Sequence, residues 1–101
     1  MNILINCPFK FSISNLDKTN IGGIESLNID LANKLSEKYY KVTIATISKN
    51  TVFKNGIRNL PINQIIKKPG KYHFDRIISS NDSTIFNYFP HAKKFLWLHN
   101  P

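Results

Sequence analysis

Apolar positions along the chain fall into short runs separated by polar punctuation, and the spacing within each run assigns an element. Residues 2–6, Asn-Ile-Leu-Ile-Asn, make a brief continuous apolar stretch closed by Cys7-Pro8, as expected of a central strand covered on both faces. From Gly23 the period changes. Ile24, Leu27, Leu31 and Leu35 recur three and four apart with Ala32 beside them, which predicts an amphipathic helix over 24–39. Glu25 in its first turn and Lys38 in its last complement the helix dipole, while Asn28, Asn33, Lys34 and Glu37 fall outside the apolar stripe. Val42, Ile44 and Ile47, with Thr43 and Thr46, predict a β-branched strand over 41–47. Strand, helix and strand at this spacing predict a right-handed βαβ unit with parallel strands.

The rest of the chain is less regular. A loop of about 14 residues, 8–21, exceeds most connections in compact domains, and such loops are usually functional. Its Phe9, Lys10, Phe11 and Lys18 either line a site or fold back over the sheet edge. Between 51 and 72 the signals are weak: an Asn55-Gly56 turn, a short strand over 57–62 broken by Pro61, and a basic turn over 67–71 containing Pro69-Gly70. Residues 74–79 predict another strand, Asp82-Ser83-Thr84 caps a short helix reaching 89, and Pro90 separates it from a last strand over 95–98. The expected class is α/β: an open, Rossmann-like parallel sheet with flanking helices, forming a single domain over 1–101. Because the sequence stops just after an expected buried strand, at His99-Asn100-Pro101, the domain reads as truncated at its C-terminal end.

Composition narrows the class. With 101 residues, 42% of them hydrophobic and including seven Phe and four Tyr, the chain can fill one core, which argues against disorder. The one cysteine, Cys7, excludes an intrachain disulfide, favours a reducing compartment, and reads as a small buried hydrophobe rather than a nucleophile. There is no basic leader and no apolar run near the roughly 20 residues of a membrane span. The expected location is cytoplasmic, with at most weak peripheral association at the inner face of the membrane. A net charge of +8 is compatible with an anionic partner or simply with a solvated lysine-rich surface. The lysines are scattered from Lys10 to Lys94, there are only two Arg, and no zinc-finger, helix-turn-helix or RNP-like pattern occurs, so nucleic acid is not the expected partner.

Candidate chemistry gathers where α/β sheets place it, beyond the carboxyl ends of the strands. That edge collects residues 8–23, 79–82 and 99–100. Gly22 and Gly23 lack a Cβ, so backbone there can approach a phosphate, and the following amides add the positive end of the helix dipole. The alternative is a glycine turn that lets the helix pack closely on the first strand. Neither the dinucleotide nor the P-loop glycine pattern is present, and no bound cofactor is expected. His73, His91 and His99 do not stand at ligand spacing, so no metal site is expected. His99, at a strand's carboxyl end, is the candidate catalytic residue, against the plainer reading of a surface or packing histidine.

Taken together, Asn2-Ile-Leu-Ile-Asn6, the long loop, Gly22-Gly-Ile-Glu25, the helix Leu27 to Leu35, Tyr40-Lys-Val-Thr-Ile44, Phe74-Asp-Arg-Ile-Ile-Ser79 and Leu98-His-Asn100 resemble the N-terminal half of GT-B glycosyltransferases of the family 4 type. The resemblance spans nearly the whole chain. It implies a retaining glycosyltransferase acting on a nucleotide-sugar donor and a sugar or lipid-linked acceptor. It further implies that Gly22 and Gly23 approach the donor diphosphate and that His99 lies against the transferred sugar. Lys10, Lys18, Ser80, Asn81 and Asn100 become candidate acceptor contacts. The family's C-terminal half, with its paired glutamates and most nucleotide contacts, has no counterpart in these residues, so a C-terminal domain in cis or in trans is the implied partner.

Overall fold

The computed structural model describes residues 1–15 and 22–99. Its elements, in chain order, are β1 (Asn2–Asn6), α1 (Gly23–Glu37), β2 (Lys41–Thr46), β3 (Val52–Lys54), β4 (Ile57–Pro61), α2 (Ile62–Lys67), β5 (Arg76–Ser80) and β6 (Lys93–Trp97). Short 3-10 turns occupy Ile13–Asn15, Pro69–Lys71 and Thr84–Tyr88. The strands form one sheet in the order β3-β4-β2-β1-β5-β6. β3 is antiparallel to β4, and every other neighbouring pair is parallel. The parallel strands thus stand third, second, first, fourth, fifth, a Rossmann-like order. The chain lays down β2 and β4 on one side of β1, then returns to the other side for β5 and β6. Strand order therefore reverses between β1 and β5.

β1 is central because its side chains are apolar in both directions. Ile3 and Ile5 enter a core with Val42, Ile44, Ile57 and Ala32 beneath α1. Leu4 enters a second core with Ala45, Leu60, Ile65, Ile77 and Phe89 beneath α2 and the Thr84–Tyr88 turn. Leu4 and Ile5 are both 0% exposed, each worth about 1.5–3 kcal/mol of burial. No helix among the described residues is long and apolar enough to cross a membrane.

Several boundaries and one helix face differ from expectation. The buried residues of α1 are Asn28, Ile29 and Ala32, whereas Leu27 is 47% exposed. The helix thus sits on the sheet through its smaller side chains, and Asn28, expected on the polar face, is 0% exposed. Leu31 and Leu35 instead flank a largely apolar groove of about 490 Å³ whose other walls include Ile78, Phe95, Trp97 and Arg76. Pro61 does not interrupt a strand running to 62. It ends β4 and, at φ −60°, ψ 134°, leads directly into α2, whose Ile65 is 0% exposed. The expected helix up to 89 is a 3-10 turn. β5 begins two residues late, since Phe74 is a core side chain set edge-on to Phe89 at 5.2 Å. β6 begins two residues early, at Lys93. The Asn55-Gly56 turn is present, with φ of 54° and 78°, and joins β3, which has no strong sequence signal, to β4.

Candidate functional site

At the carboxyl edge, the reversal between β1 and β5 brings together the end of β1, the end of β5, the first turns of α1 and the segment after β6. Gly22 is the N-cap of α1 and has extended backbone. Its N–H donates to Glu25 Oε2 at 2.8 Å, so the first turn carries its own carboxylate. The two glycines have different surroundings. A Cβ on Gly22 would lie 2.5 Å from Glu25 Oε2, so a larger residue there would have to displace the carboxylate that caps the turn. A Cβ on Gly23 would meet nothing within 4 Å among the described residues. Of the pair, Gly23 is the position where an outside group can reach the helix start.

One and a half turns further, Asn28 points into the sheet. Its Nδ2 donates to Ile24 O at 2.9 Å and to Ser80 Oγ at 3.0 Å. Those two bonds fix the amide's orientation, leaving Oδ1 as an acceptor with Ser80 Oγ 3.3 Å away. Ser80 Oγ is also 3.0 Å from His99 Nε2. The hydroxyl has one proton. Only if it goes to Asn28 Oδ1 does each buried polar atom of the Asn28 and Ser80 side chains have a partner, and His99 Nε2–H then donates to Ser80 Oγ. The imidazole is thereby assigned its proton on Nε2, and the lone pair falls on Nδ1. The ring is steadied further by Trp97, 4.5 Å away between centroids, and its backbone N–H donates to Asn81 Oδ1 at 2.7 Å. Asn81 holds the left-handed conformation, φ 57°, and its own N–H donates to Trp97 O at 3.0 Å. It clamps the ends of β5 and β6 together.

On the opposite face, Ser79 repeats the motif with another asparagine. Asn6 Nδ2 donates to Ser79 Oγ at 3.0 Å, and Ser79 Oγ donates to the carbonyl of Asp82. Here the chain of bonds ends without closure: Asn6 Oδ1 is buried and has no hydrogen-bond partner among the described residues. Asn6, Thr46, Ser48, Asp82 and Tyr88 line a cavity of about 280 Å³. The Asp82 carboxyl is held below its ordinary range by the Thr84 side chain and by the Thr84 N–H, which donates to Oδ1 at 2.8 Å.

Among the residues expected at the site, His99, Ser80, Asn81, Gly22 and Gly23 lie at this edge. His99 and Ser80 are bonded directly, and Asn28 ties them to the first turn of α1. Ser80 is 0% exposed, with its hydroxyl committed to Asn28 and His99. Lys10 is exposed in the segment after β1, which is tied to the end of β2 by Ile47 N–H donating to Phe9 O at 3.0 Å. Phe11 folds back against the α1-side core. Lys18 and Asn100 lie outside the described residues. Cys7 is 0% exposed, and its thiol is pushed up to about 12 by burial and by the Glu25 carboxylate, which leaves it inert. Among the described residues no three His, Cys, Asp or Glu side chains gather as a metal site.

Asn28 and Asn6 were not among the sequence candidates. The available signals were slight: asparagine is a poor helix former in mid-helix at 28, and a polar residue ends an otherwise apolar strand at 6. No family model, no curated protein and no solved structure matches the chain.

Proposed function

We propose that this chain is the acceptor-side half of a retaining glycosyltransferase of the GT-B type, working with a nucleotide-sugar donor and completed by a C-terminal donor-binding domain in cis or in trans. The observation that carries this reading is the hydrogen-bonded link from the first turn of α1 through Asn28 and Ser80 to His99, at the strand-order reversal. In this reading the open backbone at Gly23 approaches the donor diphosphate, with Gly22 setting the turn. His99, oriented by its Ser80 bond, stabilises the transferred sugar electrostatically. Asn81, exposed beside it, and Lys10, exposed in the segment after β1, contact the acceptor, and Ser80 acts from below by holding the imidazole.

The test joins the chain to its C-terminal half and compares His99→Ala with the parent. Turnover should fall by about 100-fold or more, the scale of a lost preorganised electrostatic contact, with donor affinity little changed. Equal turnover of the two proteins removes His99 from the mechanism.

A second reading, a non-enzymatic docking module, draws on a different observation. The outer strand β6 exposes Phe95 at 41%, Leu96 at 46% and, just beyond it, Leu98 at 71%. Such a run belongs to a strand covered on both faces, yet here it lies at the sheet edge. Salt-sensitive binding to anionic vesicles, lost in Phe95→Glu, would favour this reading over catalysis.

A further inference from the structure

The other edge of the sheet carries a second concavity. Where β2 and β4 begin, a cavity of about 570 Å³ opens on the α2 side, far along the strands from His99. Its floor is a cross-strand pair, Thr43 opposite Arg58. Arg58 donates from Nε at 3.3 Å and from Nη2 at 3.1 Å to Thr43 Oγ1, so the guanidinium is anchored on one side while its remaining N–H groups stay available. Tyr72 forms a wall, with the Arg58 guanidinium 5.8 Å from its ring centroid. That ring is itself fixed, because Gln64 Nε2 donates to the Tyr72 hydroxyl at 3.1 Å. Lys41 and Lys71 complete the cationic lining, and Phe53, 74% exposed, presents an aromatic face to solvent.

The charge in this cavity is uncompensated. Among the described residues the lining includes Lys41, Arg58 and Lys71 and no carboxylate. Among the described residues the one ion pair is His73 with Asp75, and that carboxylate also accepts from Asn2 N–H at 2.7 Å. Three cations around one concavity exceed what a single carboxylate ligand neutralises, and they suit a phosphate dianion, which accepts hydrogen bonds from several directions. The exposed Phe53 phenyl adds a stacking surface for a flat ring, while the Tyr72 ring, stacked on Phe74 at 6.0 Å, backs the Arg58 guanidinium, and the volume falls in the range of small-molecule sites.

We propose that this cavity binds a small phosphorylated molecule bearing a planar ring, of the nucleoside monophosphate class, with Arg58 and Lys71 on the phosphate and Phe53 on the ring. It is separate from the carboxyl-edge site and does not depend on the reading given for that site.

The experiment is calorimetric titration of the full chain at about 0.15 M salt, where exposed charges are well screened, with adenosine monophosphate, uridine monophosphate, adenosine, inorganic phosphate and a single-stranded oligonucleotide. At least one monophosphate should bind about tenfold or more tightly than adenosine or phosphate alone, since both halves of the ligand contribute. Arg58→Gln and, on the exposed turn, Lys71→Gln should each weaken it about tenfold, the scale of a charge-assisted hydrogen bond. His99→Ala should leave it unchanged. Folding of each variant is checked by circular dichroism, and Lys71→Gln keeps the test valid if Arg58→Gln fails to fold. Binding no tighter than that of phosphate alone, indifference to both substitutions, or tighter binding of the oligonucleotide would each overturn the proposal.

Discussion

Ser79 and Ser80 are neighbours in β5 that point to opposite faces of the sheet, and each hydroxyl meets an asparagine. On the α1 side, Asn28 and Ser80 form an arrangement in which both amide atoms of Asn28 and the serine hydroxyl have partners and which ends on His99. On the α2 side, Asn6 and Ser79 end on a backbone carbonyl, and Asn6 Oδ1 is left buried without a partner. The same two residue types therefore do different work. A satisfied pair makes a rigid mount, and an unsatisfied one carries a desolvation penalty of about 1–3 kcal/mol that its single good bond only partly offsets.

Three measurements can break or sharpen this contrast. The largest effect is expected for Asn28→Ala, which removes the bonds to Ile24 O and Ser80 and leaves the serine hydroxyl buried. Unfolding in urea should show a loss of about 2–3 kcal/mol, against roughly 1 kcal/mol or less for Asn6→Ala, where the substitution also removes the unpaired oxygen. If the two losses are equal, the contrast drawn from hydrogen-bond accounting is wrong.

Next comes Ser80→Ala, a smaller change in stability with a distinct spectroscopic consequence. In the parent protein, nitrogen-15 spectra of neutral His99 should show Nε2 protonated and Nδ1 bare. In Ser80→Ala the two nitrogens should move toward the averaged shifts of a free imidazole, because the acceptor that selects the tautomer is gone. An unchanged pattern would mean that Ser80 does not hold the ring.

The smallest effect is a pH dependence from Asp82. Its folded-state carboxyl lies below the ordinary value because of Thr84, so its contribution is present above that ordinary value, near pH 4, and is lost as the pH falls through the folded one. Thermal melts of the parent and Asp82→Asn should therefore differ slightly at neutral pH and converge in acid. Convergence at high pH would reverse the assigned sign.

Much of this architecture could be read from the residues. β1 coincides with its apolar run, and α1 and β2 lie within a residue or two of their expected bounds, because each is long or regular enough for its period to show. α2 was missed because it has only six residues, and its Ile62, Ile65 and Ile66 look β-branched and strand-like; packing of Ile65, rather than propensity, keeps it helical. The buried face of α1 was misjudged for a related reason. Leu27, Leu31 and Leu35 form the most apolar stripe, but close approach to the sheet favours Ala32 and Ile29, and a matched hydroxyl on β5 makes burial of Asn28 tolerable.

The candidate site divides along the same line. Gly22, Gly23 and His99 stand out locally, one as a helix start and the other as the end of an apolar strand. Nothing local indicates that position 28 answers position 80, 52 residues away, or that position 80 answers position 99.

What the sequence determined by itself was the order and kind of its longer elements and the residues that end up at their carboxyl ends, since period, capping and turn chemistry act over a few neighbours. Only the tertiary structure decided which of those ends face one another. Partner choice for a buried polar atom depends on strand order and on which face of the sheet a helix covers, and those are set by the whole packed core.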